Sequence, residues 1–297
     1  MKMPLFTGCA SAIVTPFGNA GPDLGALGNL LDFQLENGVD AIVVCGTTGE
    51  ASTMSSDELS AVIGHCVRHV AGRVPVIAGA GSNNTAAAAE RCRIAQDLGA
   101  DGLLVVTPYY NKASQTGLIR HFETIADAVE KPVVLYNVPS RTGVAIAPET
   151  YAVLAKHPNI NGVKEASGNL GALQRTFALC PEDFTVWSGN DGDTVAVCAL
   201  GGKGVVSVVS NVLPAEMRRL TRLCLQNDFA AAGKLQVELS ELCGALFCDV
   251  NPIPVKTALN LLGWNAGELR LPLCPPGPEK LERIRSALLH YGLPVVG

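Results

Sequence analysis

Gly102-Leu-Leu-Val-Val-Thr107 reads as a β-strand with apolar side chains on both faces, and it turns polar at once in Pro108-Tyr-Tyr-Asn111. A strand with one wet face would alternate apolar and polar residues. An unbroken apolar run of this length belongs in a parallel sheet covered on both sides. Comparable runs predict further strands near 10–15, 40–44, 74–78, 133–137, 160–164, 184–188 and 204–208. A segment with helical spacing follows each of them, so the chain is read as successive βαβ units.

Eight such units fill roughly the first 220 residues, close to the ~250 typical of a (β/α)8 TIM barrel. The predicted architecture is therefore a barrel over 1–224 and a C-terminal helical domain over 225–297. In the latter, amphipathic segments near 214–226, 229–247, 254–262 and 278–290 are interrupted by Asn251-Pro-Ile-Pro254 and Leu271-Pro-Leu-Cys-Pro-Pro-Gly-Pro278. Proline cannot donate to a helix and biases its predecessor away from the helical region. An open flavodoxin-like or Rossmann sheet is the competing fold. Against it, Gly79-Ala-Gly-Ser-Asn-Asn84 lacks the third glycine of the dinucleotide fingerprint.

Composition narrows the function. The 297 residues are 48% hydrophobic and 16% charged, with 31 glycines, as suits a compact α/β protein. A net charge of -5 and a pI near 5.6 provide no basic stripe for phosphates, so no nucleic-acid partner is expected. The apolar runs fall far short of the ~20 residues that span a membrane. Met1-Lys-Met-Pro-Leu-Phe-Thr-Gly8 lacks the features of a signal peptide, and a cytoplasmic location is expected. The ten cysteines are scattered, mostly within apolar runs such as those holding Cys45, Cys66 and Cys198, and are read as reduced core residues. No metal site is expected: Cys243 and Cys248 lack a second pair, and His65 and His69 lack a third ligand and are read as part of a solvated helix face.

Barrel active sites are built at the C-terminal strand ends, which directs attention to polar residues just after apolar runs. Lys164 ends Ile160-Asn-Gly-Val-Lys164 at the rim of the barrel interior, where partial loss of water favours the neutral amine that can attack a carbonyl. Taken singly, a strand-end lysine more often extends into solvent. Its neighbours change that balance. Gly46-Thr-Thr-Gly-Glu50 offers unobstructed amides and two hydroxyls to a carboxylate, although the same turn could simply cap a helix. Tyr136 could pass a proton between a hydroxyl such as Thr47 and a reacting atom, or only pack. Arg141, in Pro139-Ser-Arg-Thr-Gly143, could grip a carboxylate with both arms of its fork, or lie solvated.

Gly46-Thr-Thr-Gly-Glu50, Thr107-Pro-Tyr-Tyr-Asn111, Leu135-Tyr-Asn-Val-Pro-Ser-Arg-Thr-Gly143, Gly162-Val-Lys-Glu165, Gly204-Val-Val-Ser207 and Asn251-Pro-Ile-Pro-Val-Lys256, in this order, resemble the dihydrodipicolinate synthase family. Its superfamily also contains N-acetylneuraminate lyase. The resemblance covers essentially the whole chain. It implies a Schiff-base aldolase that joins pyruvate to L-aspartate 4-semialdehyde, without a metal or other cofactor beyond the covalent imine on Lys164. By the same resemblance, Thr47, Tyr136 and Tyr110 form a hydroxyl relay, with Tyr110 entering from a neighbouring subunit of a homotetramer built as a dimer of dimers. Thr48 and adjacent amides would hold the pyruvate carboxylate, the Val206 carbonyl would frame the site, and Arg141 would bind the carboxylate of the second substrate. Lysine-sensitive members grip their effector with a histidine and a glutamate where this chain has Ser56 and Ala87, although Asn83 and Tyr109 match. Weak or absent inhibition by lysine is therefore expected. Two other functions remain compatible with the residues: a lyase for neuraminate or 2-keto-3-deoxy sugar acids, which would not need Arg141, and a barrel that binds a keto acid without turning it over.

Overall fold

The structure is a computed structural model, and it describes residues 1–296. Eight parallel strands close into a barrel: β1 (Gly8–Ala12), β2 (Ala41–Val44), β3 (Val76–Gly79), β4 (Gly102–Val106), β5 (Val133–Asn137), β6 (Ile160–Glu165), β7 (Thr185–Ser188) and β8 (Gly204–Ser207). Every strand residue except Gly79 and Val106 is buried, as strands sandwiched between a filled interior and a coat of helices must be. The eight helices of the coat are α1 (Leu24–Glu36), α2 (Ser56–Val70), α3 (Thr85–Asp97), α4 (Gln115–Asp127), α5 (Pro148–Leu154), α6 (Leu170–Leu179), α7 (Thr194–Ala199) and α8 (Pro214–Leu225). Their starts are chemically marked. Asp23, Asn84, Ser114 and Asn169 cap α1, α3, α4 and α6 by accepting from free amides, and Ser55 with Glu58 makes a capping box on α2.

Closure occurs where β1 meets β8, with Gly8 paired to Gly204. A side chain on Gly204 would put its Cβ 1.8 Å from the Gly8 carbonyl oxygen, so only glycine permits strands this close. Inside the barrel, Ala10, Ala41, Leu104, Val134, Trp187 and Val206 pack into one cluster. Phe6 plugs its N-terminal end, stacked on Trp187 at 4.9 Å and accepting that indole N–H through its carbonyl at 3.1 Å. The C-terminal face is left as the place where polar side chains can gather.

Beyond α8 lie α9 (Phe229–Glu238), α10 (Ser240–Leu246), α11 (Ile253–Leu261) and α12 (Pro278–His290). The single amphipathic segment expected over 229–247 is two helices that meet at Leu239. The first strand also starts and ends earlier than expected. Ile13 and Val14 are buried but lie beyond the paired residues, so their apolarity reports burial and not strand.

Two readings of single residues need correction. His65 and His69 are half-buried against α1: His69 Nε2 lies 2.8 Å from Asp32 Oδ1, and Gly28 leaves the space that both rings use. Burial, with His69 and Arg68 nearby, pulls the His65 ring below its ordinary value. Seven of the ten cysteines are buried and all are free, but Cys274 is exposed, so it is not a core residue. No helix among the described residues is long and apolar enough to cross a membrane.

Glu58 also pairs with Arg270, at 2.9 and 2.6 Å. The guanidinium, then the Ser55 amide, hold its carboxyl down to about 2. A depressed folded-state value stabilises above the ordinary carboxylate range and loses that contribution as pH falls toward 2. The pair is solvent-screened, so its contribution is at most about 1 kcal/mol. Thermal melts should show a small deficit for Glu58→Gln at neutral pH that closes on acidification; a deficit independent of pH would rule the linkage out.

Candidate active site

Side chains at matched positions of neighbouring parallel strands share a face, and the register aligns Val106 with Tyr136, Tyr136 with Lys164, and Lys164 with Trp187. Tyr136 and Lys164 are thus brought together by strand pairing alone. The Lys164 Nζ lies 4.2 Å from the centroid of the Tyr136 ring, and both residues are buried, at 6% and 7% exposure. Gly189 leaves room beside them, because a Cβ there would come within 3.1 Å of the Lys164 Cγ.

A cavity of about 310 Å³, a volume suited to small organic molecules, opens onto Tyr136, with Lys164 behind the Tyr136 ring and not among the lining residues. Thr47, Tyr136 and Arg141 line it together with Gly46, Val106 and Tyr109. Arg141 is carried on a single helical turn, Pro139–Thr142, which Thr107 ties to the end of β4 through a hydroxyl bond to Thr142 at 3.0 Å. The arginine is exposed on its outer side and faces the cavity with the other, as a residue that must capture an incoming anion should.

The other expected residues are placed differently. Val206 belongs to the interior cluster with Tyr136 and Trp187. Thr48 is buried at 3% exposure, and its hydroxyl accepts from Asn251 Nδ2 at 2.9 Å, which leaves its own proton free to donate elsewhere. Tyr110 is 89% exposed and does not line the cavity of its own chain; the neighbouring Tyr109 does. Tyr110 also holds a left-handed backbone, φ 71°, in a loop anchored where Asn111 donates to the Asn83 carbonyl at 2.9 Å.

The structure adds residues to which the sequence reading gave no role. Glu165 follows Lys164 and therefore points to the opposite face of β6. It accepts from Asn137 Nδ2 at 3.1 and 3.0 Å, from the Tyr151 hydroxyl at 2.8 Å and from the Ser167 amide at 2.8 Å. Burial, then the Glu165 charge, push the Tyr151 hydroxyl well above its ordinary value, so it remains a donor. This network pins the ends of β5 and β6, which carry Tyr136 and Lys164. An acid at the buried end of a strand, next to Lys164, was the available signal. Asp191, fully buried after β7, accepts from the Ser207 hydroxyl and from the Val208 and Val209 amides at 3.0 and 3.3 Å, fixing the end of β8 next to Val206. Burial raises its carboxyl, opposed by those bonds and by the positive charge of Lys164.

What the site can do follows from these parts. It pairs a buried amine with a phenol, sets a threonine hydroxyl nearby, and places a guanidinium at the mouth. Such a set can form an imine with a ketone, move protons around it and hold an anionic second reactant.

Comparison with known proteins shows the family. The model of the dihydrodipicolinate synthetase family matches residues 5–290. A 4-hydroxy-tetrahydrodipicolinate synthase of Thermoanaerobacter sp. (strain X514) is 49% identical over 292 residues, covering 98% of both chains. The crystal structure of dihydrodipicolinate synthase from Aquifex aeolicus superimposes with a TM-score of 0.96 at 44% identity, covering 98% of this chain and all of that one. A solved variant described as the first monomeric dihydrodipicolinate synthase gives a TM-score of 0.96 at 44% identity, with 98% of each chain covered.

Proposed function

This chain belongs to the dihydrodipicolinate synthetase family, and from that premise we propose how its own residues carry out the reaction. It condenses pyruvate with L-aspartate 4-semialdehyde to 4-hydroxy-tetrahydrodipicolinate, in the route to diaminopimelate and lysine. The observation that carries the assignment of roles is the Lys164 amine lying over the ring of Tyr136, which lines the same cavity as Thr47 and Arg141.

Lys164 adds to the keto carbon of pyruvate, and water leaves. The resulting iminium withdraws electrons from the methyl group, a proton is lost, and an enamine forms. Thr47, Tyr136 and the Tyr110 of a neighbouring subunit carry the protons. Thr48 and the amides of its turn hold the pyruvate carboxylate, and the Val206 carbonyl frames the other side. The enamine carbon then bonds to the semialdehyde carbon while Arg141 holds that substrate's carboxylate. The relay protonates the new alkoxide, and the substrate's amine attacks the imine carbon and releases Lys164. The iminium formed on Lys164 is itself the electron sink, so no metal or organic cofactor is needed. A homotetramer in the cytoplasm, a dimer of dimers, completes the proposal; the exposure of Tyr110 in the single chain supports its use by a partner.

The test is Arg141→Ala. Loss of a two-pronged grip on a carboxylate is expected to lower kcat/KM for the semialdehyde by about 100-fold or more, with pyruvate still trapped on the enzyme by borohydride. Undiminished condensation in the variant would exclude this role and point to a substrate without that carboxylate. Lysine at millimolar concentration is expected to leave the rate unchanged. Ser56, exposed at the start of α2, and Ala87, in the first turn of α3, offer no charge to an amino-acid effector. Half-inhibition at sub-millimolar lysine would contradict this.

A further inference from the structure

We infer that the buried Lys256–Glu50 ion pair is a positioning device for the pyruvate carboxylate, through which the C-terminal helical region sets pyruvate affinity. The inference rests on the proposed role of the Gly46–Glu50 turn. That turn is bounded by two non-glycine residues in the left-handed region, Cys45 at φ 54° and Glu50 at φ 53°. Such conformations cost on the order of 1 kcal/mol or more each and persist only where the surroundings impose them. The surroundings here come from the far end of the chain. Lys256, on α11, donates to Glu50 Oε1 at 2.8 Å, to the Thr15 carbonyl at 3.1 Å and to the Glu268 carbonyl at 2.7 Å, so each ammonium proton has an acceptor. The second Glu50 oxygen accepts from the Arg270 amide at 3.0 Å, and the Thr15 hydroxyl donates to the Gly49 carbonyl at 2.8 Å. Lys256 thus fixes both Glu50 and, through Thr15, Gly49.

The pair is 1% and 0% exposed and does not line the cavity, so neither member is offered as a group that touches substrate. Stability alone is a weak reason for it. Burying two charges removes most of what their attraction returns, and an apolar pair of similar volume is often as stable. What a charged, triply bonded lysine adds is geometry. The amides and hydroxyls of Thr47 and Thr48 can bind a carboxylate only when held to within a fraction of an ångström, and a shift of about 1 Å can cost about 100-fold. Lys256 and Glu50 are positioning residues by this reasoning.

The test compares the full-length wild type with Glu50→Gln and with Lys256→Met/Glu50→Gln, measuring kcat, the KM for each substrate, and Tm. The double variant removes both charges and is expected to melt close to the wild type. Its pyruvate KM is expected to rise about tenfold or more, while the semialdehyde KM, governed at the other side of the cavity, changes by less than about twofold. A folded double variant with the wild-type pyruvate KM overturns the positioning role. Should the double variant fail to fold, Glu50→Gln decides: it keeps the shape and loses the charge, a several-fold rise in pyruvate KM alone supports the role, and an unchanged KM overturns it. A wild type that takes up no pyruvate under borohydride overturns both this inference and the reading of the site on which it rests.

Discussion

Lys164→Ala is expected to lower the rate of condensation by about 10⁴-fold or more, because it removes the atom to which pyruvate becomes bonded and no other side chain can replace that bond. The loss should appear in kcat at saturating concentrations of both substrates. The fold should survive: Lys164 stands near the end of β6, whose backbone remains paired to β5 and β7, and Glu165 on the opposite face keeps its four hydrogen bonds. Far-UV circular dichroism and Tm should therefore stay near the wild type. A variant retaining even a hundredth of the activity would mean that the imine forms elsewhere or that none is needed.

The second large effect is on stability. Lys256→Met leaves the Glu50 carboxylate buried beside an apolar side chain, with only the Arg270 amide still donating to it. An uncompensated buried charge costs about 3–5 kcal/mol. For a domain of this size that lowers Tm by on the order of 10 °C. The loss should be far greater than that of any surface pair, including the exposed Arg175–Glu149 contact at 2.6 Å. Adding Glu50→Gln should recover most of it, since the stranded charge is gone. Calorimetry on the single and double variants checks this, and a single variant that melts with the wild type would show that the carboxylate finds water or a proton at little cost.

The barrel was legible because its strands are buried on both faces, so their apolar runs stand out against the helical spacing between them. Burial and pairing are not the same property, however: the apolar run predicts strand through Ile13 and Val14, which are buried but lie past the end of β1. Lys164 and Tyr136 could be picked out because each ends a strand-like run, and the register then brings them together; Arg141 could be picked out from the Pro139-Ser-Arg-Thr-Gly143 loop that follows the second of these runs. The supports of the site could not be found in this way. Glu50 and Lys256 are 206 residues apart, and Asp191 reaches Ser207 only once β7 and β8 lie side by side. Such pairings depend on the closed fold, and local patterns carry no trace of them. The histidines of α2 were misread for a related reason: the glycine that makes room for them, Gly28, lies on another helix.

The most direct measurement is reduction of the wild-type protein with borohydride in the presence of pyruvate, followed by proteolysis and mass spectrometry of the peptides. One adduct per chain, a reduced pyruvate on Lys164, is the expected result, with none formed when pyruvate is left out. An adduct on a different lysine, or none while condensation proceeds normally, would contradict the central claim that Lys164 is the group to which pyruvate is joined.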